Sequence, residues 1–167
     1  HLSHATPSER LNEKAWLDHV CIAAVRDPFE RFLSGYFDHV RKPKENALTR
    51  IYGPVFKTIT PQQYLAILLQ NPRFGGPQVN WTDFPSPRKP RADIVLRFEE
   101  IGQWRGQLLA AGVSIGDRQL PHKNASSRAG TDLCAALDLT PAGLAALESE
   151  VRTAFAQDAR AFGYPLP

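Results

Sequence analysis

Val20 to Val40 reads VCIAAVRDPFERFLSGYFDHV, the pattern of a strand, a sharp turn and a helix. Val20 to Val25 is a short, continuous apolar run with β-branched residues, as in a strand buried on both faces of a sheet. Asp27 is placed to cap a helix whose first position is Pro28, where proline's missing N–H costs nothing and its φ is already helical. Phe29, Phe32, Leu33, Tyr36, Phe37 and Val40 follow at helical spacing and form one apolar face. Arg31, Ser34, Asp38 and Arg41 line another.

Arg26 stands where the strand ends and the helix begins, with the Ser34 hydroxyl eight residues later. In an open α/β sheet, ligands bind at the carboxyl ends of the strands, and a helix N-terminus there attracts anions through its unpaired N–H groups and its dipole. An arginine at that point can hold two phosphate oxygens at once. The same residue at a strand end can equally pair with a carboxylate, and spacing leaves both readings open.

The chain has 167 residues, 43% hydrophobic and 22% charged, enough for one domain with its own core, and we expect a single domain over residues 1–167. No apolar run approaches the roughly 18 residues of a membrane span. A net charge of +3 suits an anionic ligand, while the lack of any block of like charges argues against a nucleic-acid partner. Cys21 and Cys134 lie in apolar stretches without metal-ligand spacing, so no metal is expected. The sequence begins at His1 and contains no methionine, the pattern expected of a processed or partial chain.

VRDPFERFLSGYF, residues 25–37, closely resembles the R-x-P-x-x-R-x-x-S-x-Y signature of sulfotransferases that use 3′-phosphoadenosine 5′-phosphosulfate (PAPS). The resemblance implies that Arg26 and Ser34 bind the 3′-phosphate of the nucleotide. Further matches point to the carbohydrate-type branch and its bacterial members. SHATPSERL, residues 3–11, resembles a segment that a histidine heads in that branch, which makes His4 a candidate catalytic base; a neutral imidazole has the pKa to take a proton from a sugar hydroxyl. A surface histidine near a frayed end is the alternative.

DIVLRFEEI, residues 93–101, is similar to the family's strand-and-acidic segment, in which Arg97 and Glu99 pair with each other or support the site. LPHKNASSR, residues 120–128, matches the family's L-P-H-x-N-x-S segment. By that resemblance the loop closes over the nucleotide, with His122 and Asn124 as motif positions and Lys123 and Arg128 as added cationic contacts to the 3′-phosphate. A solvated polar loop is the bland alternative. FAQDARAFGY, residues 155–164, resembles the family's terminal Y-x-x-D-x-x-x-F-G-Y, with Phe155 in place of the first tyrosine and with Asp158 and Tyr164 expected to dock the last helix on the sheet.

Between these motifs, Ser8 to His19 reads as a short helix and Arg41 to Lys57 as a basic loop or two short helices. Thr60-Pro61 opens a helix through Gln70, and Thr140-Pro141 opens one long helix to about Phe162. Asn71 to Pro90, rich in proline and glycine, reads as a long loop. Relatives carry a Pro-Gln pair there, similar to Pro77-Gln78, and Gln78 with Trp81 are candidate acceptor contacts because indoles stack on sugar faces. Ala92 to Phe98 reads as the second strand and Glu99 to Ala111 as a helix with Ile101, Trp104, Leu108 and Leu109 inward.

The resemblance implies an α/β, P-loop-kinase-like layered domain with a parallel sheet flanked by helices. It also implies a 5′-phosphosulfate loop, a strand leading into a glycine- and lysine-containing turn, near the N-terminus. No such motif occurs in the sequence: Gly75-Gly76 follows no strand and has no lysine in place. The expected activity is sulfuryl transfer from PAPS, as co-substrate and without a metal, to a carbohydrate or other hydroxyl acceptor. The alternatives are a non-catalytic or truncated module that binds a nucleotide 3′-phosphate, and a domain that binds an anionic polymer. The resemblance implies a cytoplasmic protein if bacterial, the source toward which the alanine-, arginine- and proline-rich composition leans, and a Golgi membrane protein if eukaryotic. Membrane association is expected only through a segment preceding this sequence.

Overall fold

The computed structural model describes residues 13–83, 88–89, 91–116 and 132–167. They fall into two compact units, residues 13–27 with 77–116 and residues 28–76 with 132–167. In chain order the elements are α1 (Glu13–Asp18), β1 (Ile22–Val25), α2 (Pro28–Tyr36) and a π-helical turn (Phe37–Arg41). Then come α3 (Ala47–Tyr52), a 3₁₀ turn (Pro54–Thr58), α4 (Pro61–Gln70), α5 (Pro72–Gly75) and α6 (Val79–Thr82). β2 (Ile94–Arg97), a 3₁₀ segment (Phe98–Gln103), α7 (Trp104–Ala110), α8 (Leu133–Leu137), α9 (Pro141–Ala154) and α10 (Ala156–Phe162) complete the series. This is a mixed, mainly helical architecture with a small parallel sheet, compatible with the α/β class.

The first unit is built on that sheet. β1 and β2 pair in parallel, Ile22 opposite Ile94 and Val25 opposite Arg97, so both strands end at the same edge. The strand expected to be buried on both faces is shorter and more open than its apolar run suggests: Val25 is buried, whereas Val20 and Ile22 are exposed. α1 is tied to the start of the sheet by reciprocal bonds. Trp16 is buried and its indole N–H donates to the Lys89 carbonyl at 2.7 Å, while the Lys89 ammonium donates to the carbonyls of Trp16 and His19. Asp93 receives that ammonium at 2.6 Å and the Cys21 N–H at 2.7 Å. The hydrogen bond from Lys89 holds the Asp93 carboxyl below its ordinary range. Past the sheet, α7 ends as expected at Gly112, whose φ of 77° suits glycine. Of its expected inward residues Leu108 is buried and Leu109 is exposed.

The second unit has an aromatic centre. Tyr64, 1% exposed on α4, lies among the rings of Phe32, Tyr36 and Phe56 at centroid separations of 5.5, 5.7 and 6.2 Å. Leu33, Leu48, Leu137, Leu147 and Val151 close the apolar cluster around it. Burying each such side chain contributes about 1.5–3 kcal/mol relative to leaving it exposed. α4 starts as Thr60-Pro61 predicts, with a full capping box: the Thr60 hydroxyl accepts from Gln63 N–H, and the Gln63 side chain accepts from Thr60 N–H. The helix expected to run on through Val40 widens into a π turn after Tyr36. Lys57 closes this turn by donating to the carbonyls of His39, Lys42 and Lys44 at 2.7–2.9 Å. The long C-terminal helix is two helices, broken at Phe155 (φ −112°, ψ 29°). Asp158 docks α10 on a helix of its own unit, through Arg31 of α2.

Candidate functional site

The carboxyl edge of the sheet carries the first of the residues singled out above. Arg26 directly follows β1, and Phe98 directly follows β2. The parallel register that sets Val25 beside Arg97 therefore brings Arg26 and Phe98 together, and the Arg26 guanidinium lies 4.8 Å from the centre of the Phe98 ring. That is cation–π range, and the flat guanidinium is the cation best suited to it. Phe98 was not among the expected site residues. Its signal in the sequence is positional, since the residues after two paired parallel strands are neighbours.

The main chain of the turn is fixed by two side chains from elsewhere in the same unit. Gln78 accepts from the Arg26 N–H through Oε1 at 2.8 Å and donates from Nε2 to the Arg26 carbonyl at 2.7 Å. Glu99 accepts from the Asp27 N–H at 2.8 Å. Glu99 thus supports the turn that carries Arg26. Gln78, expected as an acceptor contact, is 7% exposed and engaged with the Arg26 peptide. The amides of Arg26 and Asp27 both carry side-chain partners, so these two N–H groups are already engaged within the protein.

Trp81 lies on α6 in the same unit, half-buried, its N–H bonded to the Gln78 carbonyl at 2.8 Å. Ser34 lies on α2 in the second unit, also half-buried. His4, His122, Lys123, Asn124 and Arg128 lie outside the described residues. The structure therefore brings Arg26, Gln78 and Glu99 together and assigns Ser34 to the other unit. Among the described residues no group of three or more His, Cys, Asp or Glu side chains is arranged to hold a metal ion, and no helix is long and apolar enough to cross a membrane.

On the same helix as Ser34, Arg31 turns into the core of the second unit. It donates to the Gly76 carbonyl at 2.8 Å, lies 3.7 Å from the fully buried Asp158 carboxylate and stacks over Phe155. Burial lowers the Arg31 pKa from its ordinary value while Asp158 acts in the opposite direction. The second arginine of the signature thus has a structural role in this chain.

The family model described as "Sulfotransferase family" matches residues 1–95, more than half of the 167-residue chain and inclusive of β1 and the Arg26 to Tyr36 signature. The chain belongs to the sulfotransferase family. Sulfuryl transfer is the general chemistry that this membership supports. No curated protein and no solved structure matches this sulfotransferase-family chain.

Proposed function

We propose that this chain transfers a sulfuryl group from PAPS to a hydroxyl of a carbohydrate, with Arg26 and Ser34 holding the donor through its 3′-phosphate. The observation that carries the reading is the position of Arg26. It follows the last residue of a parallel strand, its peptide is held on both sides by Gln78, and it lies within the stretch that the family model matches. A guanidinium there offers paired N–H donors to a phosphate. The reading takes the β1–β2 pair as part of a P-loop-kinase-like layered domain.

In the proposed step the acceptor oxygen forms its bond to sulfur as the bond from sulfur to the bridging oxygen of the 5′-phosphate breaks. The acceptor proton passes to His4, and the electron pair leaves with the phosphate. The products are a sulfate ester and adenosine 3′,5′-bisphosphate. Lys123 and Arg128 add cationic contacts to the 3′-phosphate, with His122 and Asn124 beside them in the sequence, and Trp81 offers its indole to a sugar face. Cationic side chains and N–H groups suffice to stabilise the developing charge.

The test is calorimetric titration with adenosine 3′,5′-bisphosphate beside adenosine 5′-monophosphate, followed by transfer of labelled sulfate from PAPS to a panel of saccharides. The reading predicts binding that requires the 3′-phosphate, and label in a saccharide ester. Equal affinity for the two nucleotides contradicts it.

A further inference from the structure

Among the side chains around the sheet edge, Gln78 makes a contact that its sequence position does not announce. It lies 52 residues from Arg26 in the chain, yet it meets both polar groups of the Arg26 main chain, one as acceptor and one as donor. A single primary amide carries the acceptor and the donor that this arrangement requires on one carbon, and a carboxylate does not. The N–H on the other side of that Arg26–Asp27 peptide donates to Glu99. The point from which the long arginine side chain departs is therefore fixed by partners outside β1.

We infer that Gln78 is a positioning residue for the donor phosphate, acting through Arg26. This rests on the reading that Arg26 contacts that phosphate. An arginine loses conformational freedom when it is held in one geometry, and a fixed main chain leaves less to lose on binding. Displacement of such a contact by about 1 Å is enough to weaken it severely. Gln78 itself is 7% exposed, which suits a buried support and leaves little surface for an acceptor. It thereby ties α6, the short helix that carries Trp81, to the turn that carries Arg26.

The test uses the full 167-residue chain and two variants, Gln78→Leu and Gln78→Glu. Hydrogen exchange at the Arg26 amide reports the turn without any ligand, and calorimetry reports adenosine 3′,5′-bisphosphate affinity. Gln78→Leu is expected to speed exchange at Arg26 and weaken binding about tenfold, equivalent to about 1.4 kcal/mol. Gln78→Glu at pH 7.5 accepts from the Arg26 N–H but cannot donate to its carbonyl. Burial at this position, where Gln78 is 7% exposed, raises a carboxyl's pKa above its ordinary value of about 4.3, so the protonated side chain regains a donor as pH falls toward 5. Its affinity, taken as a ratio to wild type at each pH, is expected to rise as pH falls from 7.5 to 5, a rescue that misfolding does not produce. Unchanged Arg26 exchange in Gln78→Leu overturns the inference. So does full affinity in Gln78→Leu when Arg26→Ala has lost binding, and that outcome leaves the proposed function standing. Absence of 3′-phosphate-dependent binding in the wild-type chain overturns both.

Discussion

Arg31 and Asp158 form a 3.7 Å ion pair inside the helical unit, with the Asp158 side chain fully buried and that of Arg31 27% exposed. The pair joins the signature helix α2 to the last helix α10. Removing one partner from a buried pair leaves an uncompensated charge, which costs more than replacing both. Asp158→Ala is expected to destabilise the protein by about 3 kcal/mol, the low end of the range for buried pairs because Arg31 retains some solvent. The double variant Arg31→Leu with Asp158→Leu is expected to lose less than Asp158→Ala alone. Urea melts of the variants check this, and a double variant less stable than Asp158→Ala counts against the pair as the cause.

Gly35 owes its identity to Tyr64. A Cβ at position 35 would lie 2.7 Å from the Tyr64 hydroxyl oxygen and 3.7 Å from the ring carbon that bears it. Tyr64 is locked among aromatic rings, and its hydroxyl lies 2.8 Å from His39 Nδ1. Gly35→Ala is expected to cost about 1–3 kcal/mol by overpacking. Tyr64→Phe alone is expected to lose about 1 kcal/mol with its hydrogen bond. Combined with Gly35→Ala it should recover part of the loss, because the clashing atom is gone. A double-mutant cycle with no coupling between positions 35 and 64 contradicts this account.

The same burial sets an alkaline limit on stability. Burial raises the pKa of Tyr64, and it raises that of Tyr36 against the opposing effect of Arg41. A phenol whose folded pKa exceeds its unfolded value near 10 favours the folded state below pH 10. Above that, the unfolded chain releases a proton that the folded chain keeps. Stability is then expected to fall by up to about 1.4 kcal/mol per pH unit for each phenol. Denaturation between pH 9 and 11.5 should show a shallower decline for Tyr64→Phe than for wild type, and identical slopes would refute the assignment.

Lys57 acts as a cap for the π turn. Its ammonium donates to three carbonyls, that of His39 within the turn and those of Lys42 and Lys44 just past it. Lys57→Met keeps most of the aliphatic stem and removes the donors, and is expected to cost about 1–3 kcal/mol. The thermal midpoint measures this, and a midpoint at the wild-type value argues against the cap.

The parts of this structure that were legible in the sequence are those decided by neighbours in the chain. Thr60-Pro61 and Thr140-Pro141 open helices where expected because capping is a matter of three or four consecutive residues. The strand before Arg26 and the helix from Pro28 were legible for the same reason. What escaped depends on distant partners. The π turn after Tyr36 ends on Lys57, and the break at Phe155 carries no proline or glycine to mark it. The stretch 71–90, read as a loop, contains two single-turn helices, α5 and α6, too short for any periodicity to register. The position of Arg26 between strand and helix was legible too. The partnership of Gln78 with Arg26 was not, because it spans 52 residues and follows only once β1 and β2 are paired.

The central proposal is that the donor is held through its 3′-phosphate by Arg26 and Ser34, and the most direct measurement is the calorimetric affinity of adenosine 3′,5′-bisphosphate for wild type, Arg26→Ala and Ser34→Ala. Truncating a charged partner of a bound phosphate is expected to cost about 2 kcal/mol or more, at least about thirtyfold in affinity, for Arg26→Ala. Loss of a single hydroxyl hydrogen bond to a charged group is expected to weaken Ser34→Ala by about tenfold. A folded Arg26→Ala variant that binds the bisphosphate as tightly as wild type would contradict the account.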